Sequence, residues 1–350
     1  MLVAVALLLK KTVAARKALL ALAFAAIAFP AWGMNKVTVL QLEQTVAEVQ
    51  NIGDRVAADR LTQLELTERL SKARYEKLSA ELAGEKAKQA LLALADGSAF
   101  LDLPAEDILN VARPDVGTEG KIVSRAADFA VETVSKMPDF YAARTTTRFQ
   151  DMKVTYPVNE PVIVAHQGFH LLDKSYATVL FRDGHEVVQT GDGKKKGSSV
   201  TVSTGLTNWG VFGPLLGVVM ADILKGKIGW GHWEQGPTGP LAVFRYAVAE
   251  DRSNYSVRYC CFRGEKGDMR EFQAVPAYHG EIAIDPATGA VLRLVVKTDL
   301  ESSLPMRRAD VVVDYGAGGD WGHDAYLSAG EHVHFDRGGA DLSSLPVLCG

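Results

Sequence analysis

Two hydrophobic periodicities divide the chain. Across residues 38–100 apolar side chains recur every three or four positions and no proline interrupts them, which is the spacing of amphipathic helices. Thr38 followed three residues later by Gln41 has the form of a capping box, with Leu42, Val46 and Val49 sharing one face behind it. Asn51, Ile52 and Gly53 read as a stop, and Asp54 as the cap of a second helix with Val56, Ala57, Leu61 and Leu64 inward. Thr67 is placed to cap a third helix carrying Leu70, Ala73, Leu78 and Leu82; after Gly84 a fourth spans 85–95 with Ala87, Leu91 and Leu94. Helices this short are marginal alone, so these must pack on one another or on the rest of the chain. Residues 103–110, with Pro104 near a helix start, lead into a linker over 114–120. A fifth helix then places Ile122, Ala126, Phe129 and Thr133 on one side, and Pro138 ends it.

Beyond Tyr141 the period falls to two. Ala242, Phe244, Tyr246 and Val248 alternate with Val243, Arg245 and Ala247, and Tyr255, Val257, Tyr259 and Cys261 with Ser256, Arg258 and Cys260. Ile282 and Ile284, then Leu292, Leu294 and Val296, then Val311, Val313 and Tyr315 continue the pattern. Five strands, each apolar on one face and largely polar on the other, predict an antiparallel sheet wet on one side. Arg182-Asp183-Gly184, Gly236-Pro237-Thr238-Gly239 and Asp285-Pro286-Ala287-Thr288-Gly289 are the turns that make neighbours antiparallel. Residues 191–199, with Lys194, Lys195 and Lys196, read as a loop, and 211–224 as one helix inserted among the strands with Pro214 in its first turn. The expected fold is therefore α+β: a helical section over 34–138, then a curved antiparallel sheet over 139–317, up to a half-barrel. Its apolar face is expected to be covered by the inserted helix and the front helices, or else to line a cavity for an apolar ligand.

Composition narrows the setting. With 47% hydrophobic and 23% charged residues the 350-residue chain is a globular one, and a net charge of −4 gives no bulk positive field for nucleic acid or an anionic membrane. Lys10, Lys11, Arg16 and Lys17 precede an uncharged apolar run over 18–29 that ends at Pro30 and Gly33, the form of an export signal spanning residues 1–33. Twelve apolar residues are too few to cross a bilayer core, although residues 1–9 are apolar too and make an uncleaved anchor the alternative. Removal of 1–33 leaves 34 cations against 42 anions, a net charge of −8. The expected location is the periplasm or the cell exterior, with membrane contact only through an uncleaved signal segment.

Motif tests for chemistry return little. There is no G-x-S-x-G elbow, no Rossmann glycine pattern, and the phosphate-loop spacing near 191–198 fails because Lys196 stands where a glycine is needed. Cys260 and Cys261 are adjacent on a strand and point to opposite faces, so they do not chelate together; one could pair with Cys349, leaving one thiol over. His166 and His170 have helical metal-ligand spacing but fall on a strand, about 13 Å apart. His232 with Glu234, and His279 with Glu281, are the acid–base candidates, each also explained as alternate residues on one strand face. Residues 318–350 lose the alternation seen just before them and are rich in glycine and histidine, including His323, His332 and His334. Read one nucleotide later from near Ala317, that stretch can encode a strand-turn-strand continuation, so it is treated as an atypical tail and a candidate frameshift product.

Two resemblances follow from these residues. Tyr278-His279-Gly280-Glu281 leading into Asp285-Pro286-Ala287-Thr288-Gly289 resembles a hairpin of exported proteins related to the LolA-type periplasmic lipoprotein carriers. That likeness covers mainly 240–315 and implies a half-open antiparallel barrel with helices as a lid and acyl chains inside. Leu66-Thr67-Glu68-Arg69-Leu70, residues 95–101, Arg144-Thr145-Thr146-Thr147-Arg148-Phe149 and Trp230-Gly231-His232-Trp233-Glu234 resemble a group of uncharacterised exported bacterial proteins, a likeness that implies a family and no activity. The expected function is non-catalytic binding in the cell envelope, of an acyl chain or lipoprotein, on Phe244, Tyr246, Tyr255, Val257, Tyr259, Ile284 and Leu294. No cofactor or metal is expected. The alternatives are an envelope interaction protein with a filled core, and a hydrolase using His232 or His279.

Overall fold

The computed structural model describes residues 34–155, 164–182, 185–190, 205–206, 213–237, 239–263, 268–301, 304, 306–316, 328–337 and 348–349. The signal segment, the lysine loop and residues 317–327 of the tail lie outside the described residues. The fold is α+β.

The helical start of the chain forms as its periodicity dictates. Helix α1 (Val39–Val49) begins at Thr38 with both halves of the capping box in place, and it buries Val39, Leu42, Val46 and Val49. Helices α2 (Asp54–Leu61), α3 (Lys72–Glu81) and α4 (Glu85–Ser98) follow. Caps and faces differ in detail from the expectation. Ser71 rather than Thr67 is the N-cap of α3, because Thr67 donates its hydroxyl to the Val37 carbonyl. Val56 and Ala73 face outward, and Leu64 lies beyond α2 in a short parallel strand pair, β1 (Asn35–Val37) with β2 (Leu64–Leu66).

Asp54 does cap a helix, but a distant one. Its carboxylate accepts from the Ala87 and Lys86 backbone N–H groups at 2.9 and 3.2 Å, in the first turn of α4. Gly84 is the N-cap of that helix and has no side chain to do so; a Cβ there would come within 2.0 Å of Asp54 Oδ1. Asp54→Ala is expected to cost about 1 kcal/mol, read as a lower urea midpoint at unchanged slope.

Residues 103–110 contain only a single 3-10 turn, Ala105–Asp107. Helix α5 (Val116–Lys136) starts inside the expected linker, with the Asp115 carboxylate accepting from the Thr118 N–H. Helix α6 (Pro214–Ile223) is the inserted one, with proline in its first turn.

The strands are β3 (Phe140–Thr155), β4 (Val164–Arg182), β5 (His185–Thr190), β6 (Gly205–Leu206), β7 (Lys227–Gln235), β8 (Pro240–Val248), β9 (Val257–Arg263), β10 (Met269–Ala274), β11 (Ala277–Ile284), β12 (Val291–Asp299), β13 (Met306–Gly316), β14 (Ser328–Arg337) and β15 (Leu348–Cys349). Ten of them form one antiparallel sheet in the order β5-β4-β3-β15-β14-β13-β12-β11-β8-β7, open rather than closed into a barrel. The turn at 285–289 joins β11 to β12 as expected. Gly289 has φ +80°, and the Asp285 carboxylate accepts from the Ala287 N–H and the Thr288 hydroxyl.

Two expectations about the sheet need correction. The run containing Val257 and Tyr259 is not part of this sheet: β9 pairs with β10 and β6 in a separate three-stranded one, and Tyr255 precedes the strand. Part of the tail, where the alternation is lost and beyond the expected end of the sheet at 317, pairs as β14 along the whole of β13, and β15 bridges β14 to β3.

The polar face is wet only in part: Arg245 and His279 are exposed, while other positions on it are covered. The inner face of the sheet, with Phe244, Tyr246, Ile282, Leu294 and Val313, packs with α5, α6 and the smaller sheet into one hydrophobic cluster. Helices α1 to α4 instead close their own core around Leu42, Leu61, Leu78 and Leu91. This front section meets the sheet through polar groups and also closely at Gly97 of α4, which lies against the Phe169 ring of β4; on the outer face Val295 and Val312 are each 3% exposed. Helix α5 thus shares its core with the sheet rather than with the four helices before it.

Candidate functional site

The seven side chains expected to bind a ligand all belong to the inner cluster and are 0% to 8% exposed. Phe244 meets Trp230 edge-on at 5.5 Å between ring centroids, and Tyr278 lies 6.0 Å from Tyr246 and 5.4 Å from Tyr255. Their hydroxyls are tethered. Tyr246 donates to the Val295 carbonyl at 2.6 Å, and Tyr278 donates to Asp222 at 2.9 Å. Asp222 is fully buried on the apolar helix α6, and its carboxylate also accepts the Asn254 backbone N–H and side-chain amide at 2.7 and 2.6 Å. Burial pushes the Tyr278 and Tyr246 hydroxyls well above the ordinary phenol value, and the Asp222 carboxylate adds to this at Tyr278. This polar anchor in the core was not foreseen, although a lone aspartate in an apolar helical run is a usable signal: such a group must find donors when buried.

The outer face carries the charged chemistry. Glu234, on β7, is 6% exposed and sits between two guanidinium groups. Arg293, from β12, donates with both terminal nitrogens to the two carboxylate oxygens, and Arg69 donates to Oε2 at 3.2 Å from the loop before α3. Arg293 reaches Glu234 across the two intervening strands because the residues in its register there, Ala283 and Val243, are short. The imidazole of His232 lies 3.8 Å from the same carboxylate. Burial alone would raise the Glu234 carboxyl, but Arg293, His232 and Arg69 outweigh it and hold the group well below the usual carboxylate range. Burial, then the charge of Arg293, lowers Arg69, whereas contact with Glu234 raises Arg293 despite its burial.

The same seam joins the front section to the sheet. Lys297 donates to the Phe100 carbonyl at 3.0 Å, the Leu109 N–H to the Trp233 carbonyl at 3.0 Å, and the Trp233 indole N–H to the Ala112 carbonyl at 2.9 Å. Beside these contacts lies a cleft of about 280 Å³, roofed by residues 99–102 and lined by Arg69, Arg245, His279, Glu281 and Lys297. Arg245 donates to Glu281 at 3.1 Å, and His279 Nδ1 lies 3.1 Å from an Asp299 oxygen.

The acid–base candidates are therefore separated, His232 lying beside Glu234 on β7 and His279 beside Asp299 on β11 and β12. His166 and His170 fall on β4 and Cys260 and Cys261 on β9, as strand residues, with side chains outside the described residues. Among the described residues no group of three His, Cys, Asp or Glu side chains could hold a metal ion, and no helix is long and apolar enough to cross a membrane. No family model, curated protein or solved structure matches the chain.

Proposed function

We propose that this is an exported, non-catalytic protein of the cell envelope that acts through contacts made by its surface, with the interior serving structure alone. The observation that carries this reading is the packing of the interior: all seven apolar side chains offered as a ligand site are buried in one cluster shared by the inner face, α5, α6 and the small sheet. Holding an acyl chain there would mean displacing a helix and exposing several large side chains, each worth about 1.5–3 kcal/mol of burial. Front-section side chains that do face outward, Leu40 at 60% and Val56 at 52% exposed, are the contact points this reading favours.

Native mass spectrometry of the chain purified from its own envelope is expected to give the mass of the protein without lipid. A photo-cross-linking residue in place of Leu40 is expected to give one discrete heavier product in intact cells. Co-purification of a lipid of defined mass would instead establish the acyl-carrier reading, which the hairpin's likeness to LolA-type carriers supports.

A further inference from the structure

We infer that residues 34–107 form a lid, closed over the outer face of the sheet and poised to lift from it as one body. The two parts keep separate cores. The cluster of the front section draws on residues 37–95 alone, and neither cluster on the sheet takes a residue from 34–107. Lifting the front section therefore opens no hydrophobic core, and small polar contacts between two bodies leave them free to move against each other. The pivot is set by two clamps. Asp107 is held by Arg74 of α3 at 2.6 Å, and the Leu109 N–H by the Trp233 carbonyl of β7 at 3.0 Å, so the chain turns at Ile108 between them. Beyond the pivot the lid is held down by Arg69 on Glu234, by Lys297 on the Phe100 carbonyl and by Gly97 against the Phe169 ring.

The closed seam is imperfect in two ways. Arg69 Nε, Arg293 Nε and His232 Nε2 surround Glu234, buried and with no hydrogen-bond partner among the described residues. Buried polar atoms left unpaired cost free energy, and they do so only while the seam is shut. Arg69 travels with the lid, so opening returns it and Glu234 to water, and the hydration they regain offsets the loss of their mutual attraction. On the other side of Arg69 the surfaces do not meet: a cleft of about 280 Å³ separates residues 99–102 from Arg245, His279 and Lys297. Lifting uncovers Val295, which is 3% exposed when the lid is down.

Pulsed dipolar electron paramagnetic resonance of the full chain tests this, with spin-labelled non-natural residues in place of Val56 on α2 and Val131 on α5, both exposed. A control pair at Val131 and Met269 lies within the sheet body, and Met269 is exposed too. Two distances are expected for the lid pair, the longer a minor fraction, and one for the control. Lys297→Met removes the bond to Phe100, and Gly97→Ala sets a methyl 2.8 Å from the Phe169 ring. Each is expected to raise the longer fraction about threefold, the worth of one hydrogen bond. Lys297 belongs to neither core, so Lys297→Met keeps the test open should Gly97→Ala fold poorly. A single distance for the lid pair in all three proteins, a longer fraction that neither variant raises, or a control pair that splits with it would overturn the lid.

Discussion

Glu234→Ala is expected to destabilise the protein by about 3–5 kcal/mol. The substitution leaves the guanidinium groups of Arg69 and Arg293 buried side by side with their shared counter-ion gone. Loss of the anion also removes one of the ties between the front section and the edge of the sheet, because Arg69 comes from the former and Glu234 from the latter. Urea unfolding followed by circular dichroism measures the cost, and an unchanged midpoint would show that these charges are not mutually dependent. The same carboxylate gives a pH signature. Its folded value lies below the ordinary glutamate value of about 4.3, so its contribution is complete above that value and is lost as the pH falls toward the folded one. The wild type should therefore lose stability below about pH 4 in a step that Glu234→Gln lacks.

Gly280→Ala is expected to cost about 3 kcal/mol or more. Gly280 sits in β11 opposite Tyr246 of β8 and Val296 of β12. A Cβ there would come within 1.8 Å of the Val295 carbonyl oxygen and 3.1 Å of the Tyr246 hydroxyl. The tyrosine crosses the glycine to reach that carbonyl, so the added methyl both forces two strands apart and breaks the bond beneath. Tyr246→Phe removes only the hydrogen bond and should cost about 1 kcal/mol. Adding it to Gly280→Ala should rescue little, since the obstructing atom belongs to the backbone of β12. Thermal melts of the three variants decide the point, and equal melting of Gly280→Ala and wild type would contradict it.

Much of the local structure was legible because it depends on neighbours in the chain. The capping box at Thr38 and Gln41, the proline opening α6 and the Asp285–Gly289 turn each work through side chains only two or three positions from the backbone they serve. The inner face of β8, β11, β12 and β13 was legible for a similar reason: side chains alternate across a strand, so one apolar residue in two marks the side that will be covered. Alternation carries no information on which sheet a strand joins, and β9 accordingly went to a second one. Nor does it tell a solvated charge from a covered one. Arg293 and Asp310 had the spacing of an exposed face, yet Asp310 is 1% exposed, its carboxylate accepting from the Thr298 N–H and the Arg308 guanidinium.

The sequence by itself determined most of the helices, the strands β8, β9, β11, β12 and β13, the 285–289 turn and much of the apolar interior, since these follow from short-range spacing and the backbone preferences of single residues. Only the tertiary structure decided where Asp54 caps, that Glu234 is held by Arg69 and Arg293, and that a charge-lined cleft lies beside them. The partners of Glu234 are 165 and 59 positions away along the chain, and nothing local to any of the three announces the others. Burial of Glu234 and its two arginines raises the strength of each charge–charge contact, so groups undistinctive in the sequence became ones that join the front section to the sheet.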